Sequence, residues 1–161
     1  MTPFLSAPMS LQPDWIDYNG HLNMAYYTVL FDHGVDEVWE GFGLGDAYRK
    51  ARGMTTFAGA FQIRYLRELK LGDRVTSSFQ ILDHDDKRIH SFQELRHTDG
   101  WLAATGETIH LSIDTEGPKV APFPPDILER IAAMAFDHAR LPRPEAAGQG
   151  IAIRRKPTRR A

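Results

Sequence analysis

The sequence predicts an α+β fold in which one long, buried helix covers one face of an antiparallel sheet. The first observation is a run of apolar residues at helical spacing between Tyr26 and Phe42. The second is a series of four stretches after this helix that alternate apolar and polar residues and are joined by short turns. A further amphipathic stretch over residues 126–140 predicts a C-terminal helix, which completes a two-layer arrangement.

The first part of the chain predicts a short strand, a loop and the long helix. Residues 3–11 are mostly apolar and form a candidate first strand, and residues 13–22 follow as a loop, with Asn19-Gly20 as a turn signal. Asn23 is the predicted N-cap of the helix. The glycines at positions 41, 43 and 45 provide its end.

The middle of the chain predicts the sheet. A short segment links the long helix to the first long strand, and turns at residues 71–74, 84–87 and 98–100 separate the strands. Proline residues from 122 to 125 then interrupt the chain before the last helix. The predicted long strands cover residues 57–65, 75–81, 89–95 and 101–113.

Length and composition limit the classes of protein that remain. The chain has 161 residues, which is one ordinary domain. It has no cysteine, which excludes a disulfide framework, a thiol nucleophile and every thiolate zinc site. No stretch approaches ~18 uninterrupted apolar residues, and residues 1–10 lack the pattern of a signal peptide. We therefore expect a cytoplasmic protein that does not insert into a membrane.

The charge is unevenly distributed along the chain. The formal net charge is -2, but five of the basic residues lie between residues 150 and 161, where there is no acidic residue. The rest of the chain is therefore acidic, which argues against nucleic-acid binding by the fold. We expect a single domain over residues 1–140 and a basic, flexible tail over residues 141–161.

Several catalytic motifs are absent from the sequence. There is no Gly-x-Ser-x-Gly nucleophile elbow and no phosphate-binding loop. The seven histidines are scattered, and no His-Glu-x-x-His motif occurs. We therefore expect neither a serine nucleophile nor a metal site.

The loop before the long helix is rich in reactive side chains. Residues 14–23 contain two carboxylates, two amides and a histidine. The start of a helix offers unpaired backbone N–H groups and a positive dipole, which can stabilise a carbonyl oxygen that becomes an oxyanion. A carboxylate just upstream can act as general base or nucleophile on that carbonyl. The alternative interpretation is that these side chains only close the turn and cap the helix.

The same loop resembles the start of the hotdog-fold acyl-CoA thioesterases of the 4-hydroxybenzoyl-CoA thioesterase-like group. The resemblance rests on Asp17-x-x-Gly20-His21-x-Asn23 followed by Tyr27, and on the stretch from Tyr65 to Asp73. It implies a sheet wrapped around the long helix and a homodimer, or a dimer of dimers, with active sites between subunits. It implies no metal and no redox cofactor, with coenzyme A present only as part of the substrate.

A narrower resemblance links the chain to the betainyl-CoA thioesterases of carnitine catabolism. It rests on residues 14–21, 85–90, 102–107 and 141–147. It implies hydrolysis of a small acyl-CoA, with betainyl-CoA as the best single candidate. The chain departs from this subgroup at residues 22–25, where Leu-Asn-Met-Ala replaces a more polar helix start. A trimethylammonium substrate would require aromatic faces, for which the candidates are Trp15, Tyr18, Tyr26, Tyr27 and Trp39.

The resemblance also implies roles for individual residues. Asp17 is the expected catalytic carboxylate, and the helix start at Asn23 and Met24 provides the oxyanion-binding N–H. His21 and Asn23 are expected to shape the site or to hydrogen-bond the thioester or the attacking water. The residues expected to bind the substrate are Tyr18, Asn19, Gly20 and Tyr27. Phosphate groups of coenzyme A require cations, and the candidates are Arg64, Arg67, Lys87 and Arg88.

Three alternatives stay open at this point. A second branch of hotdog thioesterases has its carboxylate on the central helix, where Asp32 and Asp36 are the candidates. A hotdog hydratase or dehydratase would pair Asp17 with His21, although the spacing of Asn19-Gly20-His21 differs from the hydratase motif. The third alternative is a hotdog protein that binds acyl-CoA without catalysis.

Overall fold

The computed structural model describes residues 2–153, and it has the predicted α+β architecture. All strand pairs are antiparallel, and the long strands follow the order β4-β5-β6-β3 across the sheet. The described elements are β1 (Phe4–Leu5), β2 (Met9–Ser10), a 3-10 turn (Pro13–Trp15), α1 (Met24–Phe42), α2 (Asp46–Arg52), β3 (Met54–Tyr65), β4 (Arg74–His84), β5 (Arg88–His97), β6 (Leu102–Asp114), β7 (Lys119–Val120) and α3 (Pro125–His138).

The central helix α1 forms where the periodicity predicts it. Asn23 caps its first turn, and Gly43 ends it with φ +74°, a left-handed conformation that glycine adopts without strain. Its buried face packs on the sheet in two clusters. One cluster surrounds Trp39 and Phe79, and the other surrounds Leu30 and Phe31. The helix is therefore fixed along its whole length against β4 and β5.

Two parts of the secondary structure differ from the sequence prediction. The expected strand over residues 3–11 is two short strands, β1 and β2, which both pair with β4. Pro8 lies between them and has no N–H for the ladder. The segment expected to link α1 to the sheet contains the helix α2, which begins after Gly45 and ends at Gly53 with φ +63°.

Strand β3 lies at the edge of the sheet. It pairs with β6 along its length, from Met54 opposite Asp114 to Tyr65 opposite Ala104, and it has no other neighbour among the described strands. A bulge between Ala58 and Ala60 bends it. One long edge of the sheet is therefore unpaired.

The segment after α3 contacts the outer face of the sheet. Gln62 Nε2 donates a hydrogen bond to Gln149 O at 2.9 Å, and Gly148 N–H donates to Glu107 Oε1 at 2.9 Å. The division into a domain over 1–140 and a tail over 141–161 stays a prediction. These contacts are a reason to place the boundary after Gln149. The basic residues from Arg154 onward lie outside the described residues.

Candidate active site

The loop before α1 is closed by its own backbone. Asp17 N–H donates to His21 O at 2.9 Å, and Gly20 N–H donates to Asp17 O at 2.9 Å. Gly20 has φ +78°, which explains the glycine at this position. The tip of the turn carries Tyr18, which is 98% exposed, and the exposed Asn19. The expected substrate-binding residues 18–20 therefore form a turn that projects beside the start of α1.

One of the two oxygens of the Asp17 carboxylate forms a hydrogen bond within this turn. Its Oδ1 accepts a hydrogen bond from Asn19 N–H at 2.8 Å. Its Oδ2 makes no hydrogen bond within residues 2–153. One oxygen therefore holds the side chain in place while the other is available to a water molecule or to a substrate carbonyl carbon.

The start of α1 leaves one backbone N–H open. Asn23 Oδ1 accepts from Ala25 N–H at 3.0 Å, and Asn23 O accepts from Tyr26 N–H at 3.0 Å. The N–H of Met24 has no acceptor in the described part of the chain, and the Met24 side chain is exposed. An open N–H at the positive end of a helix can stabilise an oxyanion. Asn23 itself is the N-cap, as its residue type predicts.

His21 links this loop to the segment after β3. Its Nε2 lies 3.0 Å from Glu68 Oε2, and the adjacent Leu22 N–H donates to Leu69 O at 2.8 Å. The sequence analysis did not single out Glu68. Its position inside the stretch from Tyr65 to Asp73, which carries part of the family resemblance, is the signal that could have found it.

Two tyrosines, Tyr27 and Tyr65, pack together beside the start of α1. Tyr27 is buried, and its ring meets the ring of Tyr65 edge-on, with centroids 5.1 Å apart. The Tyr65 hydroxyl donates to Met24 O at 3.3 Å. Burial raises the pKa of both phenols above the ordinary value, so both stay neutral and can donate hydrogen bonds. They border a groove of about 660 Å³ that also contains Arg67 and Trp101.

The four candidate cations for coenzyme A do not lie together within one chain. Arg64 is opposite Thr105 of β6, whereas Arg88 is opposite Leu111, which is about 20 Å farther along the strand. Arg67 lies 4.1 Å over the ring of Trp101, in the groove beside the helix start. Arg64 donates a side-chain hydrogen bond to Gln149 O, and Arg88 Nε donates to Asp85 Oδ2 at 2.7 Å. The backbone N–H of Lys87 donates to Asp85 Oδ1 at 2.8 Å.

A separate cavity of about 500 Å³ lies between α1 and β3, and we call it the α1–β3 cavity. Both alternative carboxylates, Asp32 and Asp36, line it, and His110 of β6 forms part of its wall. Burial lowers the pKa of His110 to about 4, so this imidazole is neutral near pH 7. Its Nε2 lies 2.9 Å from Ser91 Oγ, and its ring meets Trp39 edge-on at 5.0 Å.

Two further properties concern the described chain as a whole. Within residues 2–153, no group of three or more histidine, aspartate or glutamate side chains could hold a metal ion. No helix in the same range is long and apolar enough to cross a membrane.

Comparison with known proteins identifies the family. Residues 11–131 match the family model described as the thioesterase-like superfamily. The chain belongs to the thioesterase-like superfamily. A betainyl-CoA thioesterase from Pseudomonas aeruginosa is 37% identical over 142 residues, which are 88% of this chain and 89% of that protein. A Ruegeria pomeroyi protein named L-carnitine dehydrogenase/betainyl-CoA thioesterase is 36% identical over 96% of this chain, but the match covers only 31% of that longer protein.

Solved structures of other proteins share the fold. A Staphylococcus aureus protein in complex with CoA superimposes with a TM-score of 0.87 at 31% identity, over 96% of this chain and 98% of that chain. The DHNA-CoA thioesterase of Staphylococcus aureus is 16% identical, and its TM-score of 0.75 over 85% of this chain and 95% of that chain shows the fold alone. The expected hotdog fold and the expected class, a thioester hydrolase that acts on acyl-CoA, are confirmed.

Proposed function

We propose that this thioesterase hydrolyses betainyl-CoA to the free acid and CoA at the start of α1. The observation that carries the site is the open Met24 N–H, next to a loop whose Asp17 carboxylate has one oxygen without a partner. The substrate is supported by the name of the Pseudomonas aeruginosa relative. The CoA complex of the Staphylococcus aureus structure supports the CoA moiety.

In the proposed reaction, the thioester carbonyl oxygen accepts a hydrogen bond from Met24 N–H. The negative charge that develops on this oxygen is stabilised by the N–H and by the positive end of α1. The Asp17 carboxylate either takes a proton from an attacking water or attacks the carbonyl carbon itself. In both cases the carbon–sulfur bond breaks and CoA leaves as a thiolate that takes up a proton. In the second case, water then cleaves the anhydride and restores the carboxylate.

The neighbouring residues have supporting roles in this proposal. His21, held by Glu68, and the cap residue Asn23 fix the position of the loop relative to the helix start. The exposed turn at residues 18–20 and the groove beside Tyr27 face the CoA moiety. Of the four candidate cations, Arg67 has the strongest support for binding a CoA phosphate, because it lies in this groove.

We also propose that the protein is at least a homodimer. Strand β3 is a free edge of 12 residues, and it exposes half of the Phe57 side chain. Such an edge is a hazard for uncontrolled pairing unless it is covered or interrupted. A second copy that pairs with β3 covers it, and a dimer of dimers is compatible with the same contact. A cytoplasmic location is part of the proposal, since the substrate is a CoA thioester and the chain has no cysteine.

The test compares Asp17→Asn with Asp14→Asn, which removes a carboxylate from an exposed position in the same loop. We expect Asp17→Asn to lower kcat for betainyl-CoA by about 10²–10⁴-fold, because it removes the base or nucleophile. Asp14→Asn should keep kcat within about twofold. Release of free thiol gives the rate, and circular dichroism checks the fold. Near-wild-type hydrolysis by folded Asp17→Asn would show that the carboxylate assignment is wrong.

A further inference from the structure

The α1–β3 cavity has four aromatic side chains in its walls. Phe31 of α1 meets Phe61 of β3 edge-on, with ring centroids 5.7 Å apart, and Trp39 lies two turns farther along the helix. Phe57 is half-exposed at the outer end. The negative faces of aromatic rings attract cations, and this attraction requires no N–H donor on the ligand.

The same cavity carries an excess of negative charge. The carboxylates of Asp32, Asp36 and Glu40 line it, and none of them forms a salt bridge within residues 2–153. Asp46 also lines the cavity, but it contacts Lys50 and Arg49, so its charge is compensated. Arg49 also lines the cavity, so four carboxylates face one arginine there, and His110 is neutral near pH 7.

The pKa of Asp36 responds to its neighbours in this cavity. Burial raises the pKa of the Asp36 carboxyl above its ordinary value, and the nearby carboxylates of Asp32 and Glu40 raise it further, whereas His33 lowers it. A cation bound in the cavity would relieve this repulsion.

A buried amide also lines the cavity. Gln93 of β5 lines the cavity and is 1% exposed. Its Nε2 donates to Phe31 O and to Ser77 Oγ, both at 3.0 Å. Because Nε2 is engaged in these two bonds, the carbonyl oxygen is the atom of this amide that remains to favour a positive charge at the cavity.

We infer that the α1–β3 cavity binds the positively charged end of the acyl group, a quaternary ammonium such as the one in a betainyl thioester. The inference rests on the proposed function and adds the residues that select the acyl group. A quaternary ammonium cannot donate hydrogen bonds from nitrogen, so aromatic faces and unpaired carboxylates are the groups that can recognise it.

The inference also defines how two copies share one site. Asp32 lies eight residues after Met24, about 12 Å along the helix axis. In a betainyl group, a single methylene separates the ammonium nitrogen from the carbonyl carbon. The Asp32 carboxylate therefore lies well away from the Met24 N–H of the same chain. In the inferred arrangement, the helix start of a second copy meets the cavity beside the free edge strand β3.

The test measures kcat/KM for betainyl-CoA and for 3,3-dimethylbutyryl-CoA, in which carbon replaces the charged nitrogen without a change of shape. We expect the wild-type protein to prefer the charged thioester by a factor on the order of 100. Asp36→Asn should reduce this ratio by about tenfold, and Phe57→Leu should also reduce it. The control is Glu129→Gln, which removes one carboxylate from the exposed face of α3 and should leave the ratio unchanged.

The outcomes separate the inference from the proposed function. If betainyl-CoA is hydrolysed but folded Asp36→Asn and Phe57→Leu keep the wild-type ratio, the inference is wrong and the proposed substrate stands. Equal rates for both thioesters in the wild-type protein would also overturn it. If another acyl-CoA is cleaved in an Asp17-dependent reaction and neither of these two is, the proposed substrate fails together with the inference.

Discussion

Gly34 of α1 lies directly against Ser77 of β4. A Cβ atom on Gly34 would come within 2.5 Å of Ser77 Cβ and 2.6 Å of Ser77 Oγ. The amide of Gln93 joins the same contact, because it donates to Ser77 Oγ and to Phe31 O. The central helix therefore sits on the sheet at the closest approach that glycine permits, and this contact lies beside the α1–β3 cavity.

We expect Gly34→Ala to destabilise the protein by about 1–3 kcal/mol, because the added methyl group must push helix and sheet apart. The matched control is Gly41→Ala in the last turn of the same helix, where an added Cβ meets no atom within 4 Å. The control should be neutral or stabilising by up to about 1 kcal/mol, because alanine favours helix. Urea unfolding measures both. A Gly34→Ala protein as stable as the wild type would contradict the close contact.

The buried imidazole of His110 should make the free energy of unfolding depend on pH. Its pKa is about 4 in the folded protein, below the ordinary value of 6.5, so the unfolded chain binds more protons between these two values. The lowered pKa of His110 therefore adds about 3 kcal/mol to the free energy of unfolding. This stabilisation is fully present above pH 6.5 and is lost as the pH falls to about 4.

The measurement for His110 is the free energy of unfolding from pH 7.5 to pH 4, for the wild type and for His110→Asn. The variant should show a shallower decrease with falling pH, whatever its stability at pH 7.5. His138, which accepts Ile81 N–H at 2.9 Å and whose pKa burial also lowers, contributes equally to both proteins. Parallel curves for the two proteins would contradict this role of His110.

The sequence was sufficient to predict the central helix and the long strands. The spacing of apolar residues from Tyr26 to Phe42 can be satisfied only by a helix with one buried face. The alternating stretches between short turns favour antiparallel neighbours. These signals are local, which is why they can be read without knowledge of the remainder of the chain.

Other features of the fold depend on tertiary contacts. Helix α2 has seven residues between two glycines, too short for periodicity to identify. On β6, Ile109 and Leu111 are only half-buried, whereas Thr108 and His110 face α1 and are buried. Alternation alone therefore identifies the two faces of this strand but not the one that meets the helix, since the more polar face is the buried one.

The two parts of the proposed site also differ in how far the sequence alone predicts them. The residues from Asp17 to Met24 are neighbours in sequence, so their combination was visible in the chain. The α1–β3 cavity combines residues of α1, β3, β5 and β6, and the strand register decides which of them meet. Of the five aromatic residues considered for a trimethylammonium group, only Trp39 lines this cavity, and Trp15 and Tyr26 stack on each other at 5.4 Å.

Binding of CoA can be tested at Arg67. We expect Arg67→Ala to raise KM for acyl-CoA by about 10-fold with little change in kcat, because a charge-assisted contact to phosphate far from the reacting bond is lost. The control is Arg140→Ala, which removes another arginine that lies over an aromatic ring, 4.8 Å from the centroid of Phe136. Steady-state kinetics give both constants. An unchanged KM in Arg67→Ala would exclude this arginine from CoA binding.

The central claim is that Asp17 and Met24 of one copy act together with the cavity of a second copy. It is tested most directly by hydrolysis of betainyl-CoA in a purified heterodimer of two differently tagged chains, one with Asp17→Asn and one with Asp32→Asn and Asp36→Asn together. Each parent homodimer should be severely impaired. The heterodimer contains one intact site of the two, so it should recover about half of the wild-type rate. A heterodimer no more active than its parents would contradict the claim.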